Sequence, residues 1–164
     1  MRTTERDSEF RSFFITQAPR LERIALLMTG HPEVAADLAQ DALLKTYRAW
    51  PRIRGEDPGP YARQALVNLC RNHYRRRALE LRKPSPPATL QIADADVAEA
   101  LRVAAALATL PPLRRAVIVL RYYEDMTAAE VARVLERPLN TVKSDIRRSL
   151  ERLRPLLAEG ANGS

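Results

Sequence analysis

The chain has one cysteine, Cys70, and two histidines, His31 and His73, among its 164 residues. A single thiol excludes an internal disulfide and fits a reducing cytoplasm. With the histidines far apart in sequence, the residues make no ligand cluster for structural zinc. No apolar run approaches the length needed to span a bilayer, and the opening segment MRTTERDSEF has no apolar leader region, so membrane insertion is not expected. Alternating strand patterns are almost missing. There is also no Ser/His/Asp set with ordered spacing, no Gly-rich phosphate loop and no metal cluster, which argues against an enzyme and against a bound cofactor.

Ala, Leu, Arg and Glu dominate instead, and the fold expected is all-α. The formal net charge of +7 and a sequence pI near 10.2 favour a polyanionic partner, nucleic acid before a membrane surface. The length allows one domain or two small ones, each with a modest core.

The most informative stretch is MTAAEVARVLERPLNTVKSDIRRSLERLR, Met126 to Arg154. Thr127 is a good N-cap and Glu130 completes a capping box, so a helix starts there with Val131, Val134 and Leu135 on one face. Pro138 ends it. A second helix from about Leu139 places Val142, Ile146, Ser149, Leu150 and Leu153 on one side. Asn140, Lys143, Ser144, Arg147 and Arg148 fall on the opposite side. Ala132 is small where the helices must approach, and Thr141 sits in the first turn, where its hydroxyl can reach a phosphate. A charge stripe alone fits a solvated helical hairpin; these features together predict a helix-turn-helix that presents its second helix to a major groove.

In chain order, Ser8 to Thr29 reads as a first helix with Phe10, Phe13, Phe14, Leu21, Ile24, Leu27 and Met28 as apolar positions and Pro19 as a point of bending or splitting. A second helix runs from about Pro32 to Trp50. Its buried stripe is Ala39, Leu43, Tyr47 and Trp50; Asp37, Asp41, Lys45 and Arg48 lie opposite, flanked by Gln40 and Leu44. By itself that patch reads as ordinary surface. Pro51 to Pro60 is a predicted loop. A third helix, Tyr61 to about Leu81, points Ala62, Leu66, Leu69, Cys70 and His73 inward. Tyr61, Gln64, Asn68, Arg71, Asn72 and Arg75 share its outer face, and Arg76, Arg77, Arg82 and Lys83 extend the basic run. Such a face suits an unpaired strand, with the ring stacking on a base, amides reading its edge and guanidinium groups holding phosphates. A solvated helix with Tyr61 covering an apolar seam remains the other reading. The proline-rich stretch from Lys83 to about Asp96 is a linker. Beyond it come an Ala/Leu helix from Val97 to Leu110 and a helix opened by Pro111 and Pro112 through Leu113, Val117, Ile118, Leu120 and Tyr123.

Three phrases carry a family resemblance: DLAQDALLKTYRAW (Asp37 to Trp50), YARQALVNLCRNHYRRR (Tyr61 to Arg77) and the segment from Leu110 to Arg154. In this order and separation they resemble the small bacterial sigma factors of the extracytoplasmic-function, sigma-E-like group, which keep only the second and fourth sigma regions. The resemblance implies a region 2 domain over 1–82, a linker over 83–96 that threads toward the RNA exit path, a region 4 domain over 97–157 and a disordered tail over 158–164. It implies a dissociable subunit that brings core RNA polymerase to a promoter, with the β′ clamp helices and the β flap as docking partners and an anti-sigma factor as a possible regulator. Asp37, Gln40, Asp41 and Leu44 match the clamp-docking stretch. Tyr61, Gln64, Asn68 and Asn72 fall where the family captures unstacked bases of the minus-ten element, with Arg71, Arg75, Arg76 and Arg77 as phosphate contacts. Asn140, Thr141, Lys143, Ser144, Arg147 and Arg148 match the helix that reads the minus-thirty-five element.

Four positions depart from the family pattern. Glu136 stands where the turn commonly has glycine or another small residue, and a left-handed conformation there costs about 1 to 2 kcal/mol. Asn140 replaces a frequent glycine. Asp145 replaces a frequent arginine and is expected on the flank, weakening phosphate attraction and able to accept a hydrogen bond from a cytosine amino group. Tyr61 replaces a frequent tryptophan. The competing function is a stand-alone helix-turn-helix regulator, which explains Met126 to Arg154 equally well but not the other two surfaces.

Overall fold

In the computed structural model, which describes residues 2–80 and 95–161, every described element is helical and no strand occurs among the described residues. The helices are α1 (Arg2–Thr29), α2 (Pro32–Ile53), α3 (Gly59–Glu80), α4 (Ala95–Leu107), α5 (Pro112–Ile118), α6 (Ala128–Leu135) and α7 (Leu139–Ala161), with a π-helical turn, Val119–Tyr123, continuing α5. They gather into two compact units, residues 2–26 with 31–80 and residues 27–30 with 95–161.

Prolines matter less than local rules suggest. Pro19 and Pro155 lie inside α1 and α7, and Pro51 lies inside α2, which therefore runs on to Ile53 and shortens the expected loop. A proline costs an internal helical hydrogen bond, and burial of an amphipathic face can outweigh that loss. The helix of α7 also continues through Ala161, past residue 158 where the tail was expected to begin, and α4 opens at Ala95, inside the expected linker. The rest of that linker, with Leu81, Arg82 and Lys83, and residues 162–164 lie outside the described residues.

The first unit is built on α2 and α3. Leu38, Ala39, Ala42, Leu43 and Trp50 from α2 pack with Ala62, Leu66, Val67 and Cys70 from α3, all buried. Burial pushes the Cys70 thiol up to about 12, so it remains protonated at neutral pH. The front of α1 clamps α2: the Phe10 ring lies 4.9 Å from that of Tyr47 and 5.2 Å from that of Trp50. Arg6 donates to the Tyr47 carbonyl at 3.0 Å, and the Tyr47 hydroxyl donates to Asp7 at 2.8 Å. Phe14, expected as one of the apolar positions, is 41% exposed.

In the second unit α4, α5 and α6 each pack on α7 around Val117, Leu120, Val131, Leu135, Val142 and Leu153. Arg115 caps the end of α4, donating from Nε to the Leu107 carbonyl at 3.1 Å and from Nη2 to that of Leu110 at 3.2 Å. The helix expected to run through Tyr123 loosens after Ile118. The wider π turn buries Val119 and Leu120 and leaves Tyr122 and Tyr123 48% and 42% exposed, so Tyr123 is not a core residue.

Candidate nucleic-acid interface

The helix-turn-helix is held by its turn. Thr127 accepts a hydrogen bond from the Glu130 amide at 3.1 Å, the N-cap that its position predicts. At the other end of α6, Glu136 takes φ 54° and ψ 47°, the left-handed conformation that glycine favours. The Arg137 amide then donates to the Ala132 carbonyl at 2.9 Å and the Glu136 amide to that of Arg133 at 3.3 Å. This pair of bonds closes the helix and turns the chain sharply toward Pro138 and α7. Ala132, buried, lets α6 come close to α7.

On α7, Val142, Ser149 and Leu153 are buried, with Ile146 and Leu150 at the margin of the core. Asn140, Lys143, Arg147 and Arg148 are exposed and Thr141 and Ser144 half-buried, so all six residues assigned to the reading face lie on its accessible side. Asp145 does not. It is 5% exposed, with Oδ1 3.4 Å from Nε of Arg114 and Oδ2 3.2 Å from Nη2 of Arg137. The expectation that it meets a cytosine or repels phosphates from the flank is corrected: a carboxylate is costly to bury unless paired, and two arginines from α5 and the turn supply the pairing. Neither arginine stood out in the sequence. An acid inside the otherwise basic first turns of the helix was the one signal that such partners exist.

On α3, Tyr61, Asn68 and Asn72 follow at intervals of seven and four residues and so stack along one line of the helix. Asn68 and Asn72 are exposed, and Tyr61, Gln64 and Arg71 half-buried. Gln64 donates to the Asn68 side-chain oxygen at 3.2 Å, which joins two of the assigned amides. Arg75 and Arg76 are exposed and Arg77 half-buried further along. Of the residues expected to point inward, Ala62, Leu66 and Cys70 are buried, while Leu69 and His73 are half-buried. Burial first, and then the Arg77 charge, lower the pKa values of His31 and His73 below their ordinary 6.5.

On α2, Asp37, Gln40, Asp41 and Leu44 are all exposed on one face. Leu44 is 47% exposed, and with Gln40, Phe10 and Phe14 it lines a groove between α1 and α2. Among the described residues no group of three or more His, Cys, Asp or Glu could hold a metal ion, and no helix is long and apolar enough to cross a membrane.

Two helical units, one with an amide-and-arginine helix and one with a helix-turn-helix, meet two family descriptions in the same order: "Sigma-70 region 2" matches residues 7–80 and "Sigma-70, region 4" matches residues 100–153. The RNA polymerase sigma-E factor of Streptomyces coelicolor is 35% identical over 155 residues, spanning 89% of this chain and 84% of that protein. The ECF RNA polymerase sigma factor SigM of Mycobacterium tuberculosis is 32% identical, spanning 90% and 76%. Among solved structures, the sigma factor RpoE of Bartonella quintana, crystallised with the anti-sigma factor NepR, shares the fold at a TM-score of 0.69 and 21% identity, over 92% of this chain and 97% of that one. The chain belongs to the sigma-70 family, within the extracytoplasmic-function group, and is a sigma factor that directs RNA polymerase to promoters.

Proposed function

We propose that the two units divide promoter recognition between them. The α3 face takes the minus-ten element as an unpaired strand: Tyr61 stacks on a base, Gln64, Asn68 and Asn72 read base edges, and Arg71, Arg75, Arg76 and Arg77 hold phosphates. The α7 face reads the minus-thirty-five element as a duplex through Asn140, Thr141, Lys143, Ser144, Arg147 and Arg148. The observation that supports this most is the single line of the half-buried Tyr61 with the exposed Asn68 and Asn72, with Gln64 bonded to Asn68. A solvated face has no need of a ring and three amides in one line.

Binding energy then replaces chemistry. Opening duplex costs on the order of 1.4 kcal/mol per stacked step. A base stacked on an aromatic side chain returns about 1 to 3 kcal/mol. Capture of one or two bases therefore offsets the first steps of melting in a complex that the polymerase holds in place.

Docking on the polymerase falls to the α2 stripe, where Asp37, Gln40, Asp41 and Leu44 face the β′ clamp helices. In the second unit, an apolar trough lined by Val103, Ala106, Tyr122, Tyr123, Leu150 and Leu157 is the seat for the β flap. RpoE is bound by the anti-sigma factor NepR in its crystal; an anti-sigma protein is the corresponding regulator for this chain, and the cytoplasm its site of action. A stand-alone regulator leaves the α2 stripe and the α3 face without a use.

The reading is tested in holoenzyme reconstituted from the full chain and core polymerase. Asn68→Ala weakens promoter opening, scored by permanganate reactivity of unpaired thymines, and leaves polymerase binding intact. Arg147→Ala weakens duplex recognition by about 1 to 3 kcal/mol, as loss of one bidentate base contact does. Normal opening by Asn68→Ala would remove the α3 assignment.

A further inference from the structure

Asp145 is the one acid on the first two turns of α7, and both guanidinium groups that neutralise it come from outside that helix. Asp145 follows Thr141 by four residues and precedes Arg148 by three, so the three share one flank of α7. Whatever reaches its carboxylate also reaches that flank. Arg114 approaches Oδ1 through Nε and Arg137 approaches Oδ2 through Nη2 as ion pairs, and each guanidinium carries further N–H groups. The two side chains are 33% and 25% exposed, whereas the Asp145 side chain behind them is 7% exposed. Two positive charges against one negative charge leave the flank cationic, with the acid hidden and both guanidinium side chains part-exposed in front of it, although Nε of Arg137 is itself buried.

We propose that Arg114 and Arg137, braced by Asp145, contact backbone phosphates along the Thr141/Arg148 flank of α7 and so extend the DNA-binding surface beyond the reading helix. The inference rests on α7 being the groove helix. A helix lying in a groove has a phosphate ridge along its flank, and contacts to that ridge set register and orientation without reading sequence. A planar guanidinium held by one nitrogen presents its remaining donors in a fixed direction, which suits a phosphate better than a freely rotating lysine does. Asp145 is a positioning residue in this arrangement, acting on DNA through the two arginines. A purely structural staple between α5, the turn and α7 accounts for the ion pairs but predicts no effect on DNA affinity beyond folding.

The test measures affinity of the full chain for a duplex it selects from a random pool, across a salt series. Arg114→Gln and Arg137→Gln keep an amide donor for Asp145 and remove the charge. Each is expected to flatten the slope of log affinity against log salt by about 0.9, the value for one lost phosphate contact on duplex DNA. Arg114→Lys and Arg137→Lys retain the wild-type slope. Thermal melts verify folding, and Arg→Met, which keeps the apolar stem, replaces any glutamine variant that unfolds. Wild-type slopes in the folded charge-removing variants, with Arg147→Ala still weakened, overturn the phosphate pair alone. Full affinity in Arg147→Ala as well overturns the groove reading of α7.

Discussion

On α3 the groups assigned to read bases are short, with Gln64 bonded to Asn68 beside a half-buried ring and the arginines further along; on α7 the longer Lys143, Arg147 and Arg148 extend from the helix beside the shorter Asn140, Thr141 and Ser144. The first arrangement suits a flexible partner, because a single strand must be fixed by the surface that receives it. The second suits a stiff partner. A duplex presents its groove ready-made, and long side chains adapt to base edges provided the helix is rigidly aimed. The rigidity of α7 lies outside its reading face, in the closed turn at Glu136 and the buried Asp145. Preorganisation thus sits in the side chains of one unit and in the backbone and core of the other.

The strongest way to break this contrast is Tyr61→Ala. It is expected to cost promoter opening about 1 to 3 kcal/mol, the worth of one stacked base, with Tyr61→Trp restoring it. Duplex affinity should be unchanged; an equal loss there would mean that Tyr61 does not act by stacking on an unpaired base. A smaller effect is expected at the turn. Glu136→Gly removes a left-handed conformation from a non-glycine residue and should raise the stability of the second unit by about 1 kcal/mol, read as a higher midpoint in thermal denaturation. An unchanged midpoint would show that Glu136 carries no strain.

The smallest effect separates the units by acid. Both histidines, His31 and His73, lie in the first unit, and their folded pKa values fall below the ordinary 6.5. The unfolded chain therefore binds their protons first. Their contribution is complete above 6.5 and is lost as the pH falls from there toward the folded values. Denaturation followed by Trp50 fluorescence, the chain's one tryptophan and a first-unit residue, should show this decline; His31→Gln with His73→Gln should flatten it.

Much of the fold was legible in the sequence alone. Thr127, Pro138 and the apolar spacing of α6 and α7 are local signals, and each did locally what its chemistry dictates. The α3 face followed from helical periodicity alone. The environment of Asp145 did not, because its partners come from α5 and the turn and only folding brings them together. The prolines inside α1 and α2 were misleading for a related reason: their local cost is readable, but the burial that overrides it belongs to the packed unit. The π turn left no mark that periodicity could detect, and the helix was expected to run unbroken through Tyr123 on that account.

Cys70 has a practical consequence. As the only thiol, fully buried and held protonated with a pKa of about 12, it leaves the surface without a competing thiol near neutral pH. A cysteine introduced at an exposed site such as Leu79 can take a maleimide dye selectively, with no background substitution in the core. The natural sequence is already a single-site labelling scaffold, on which fluorescence can follow each unit as it engages DNA.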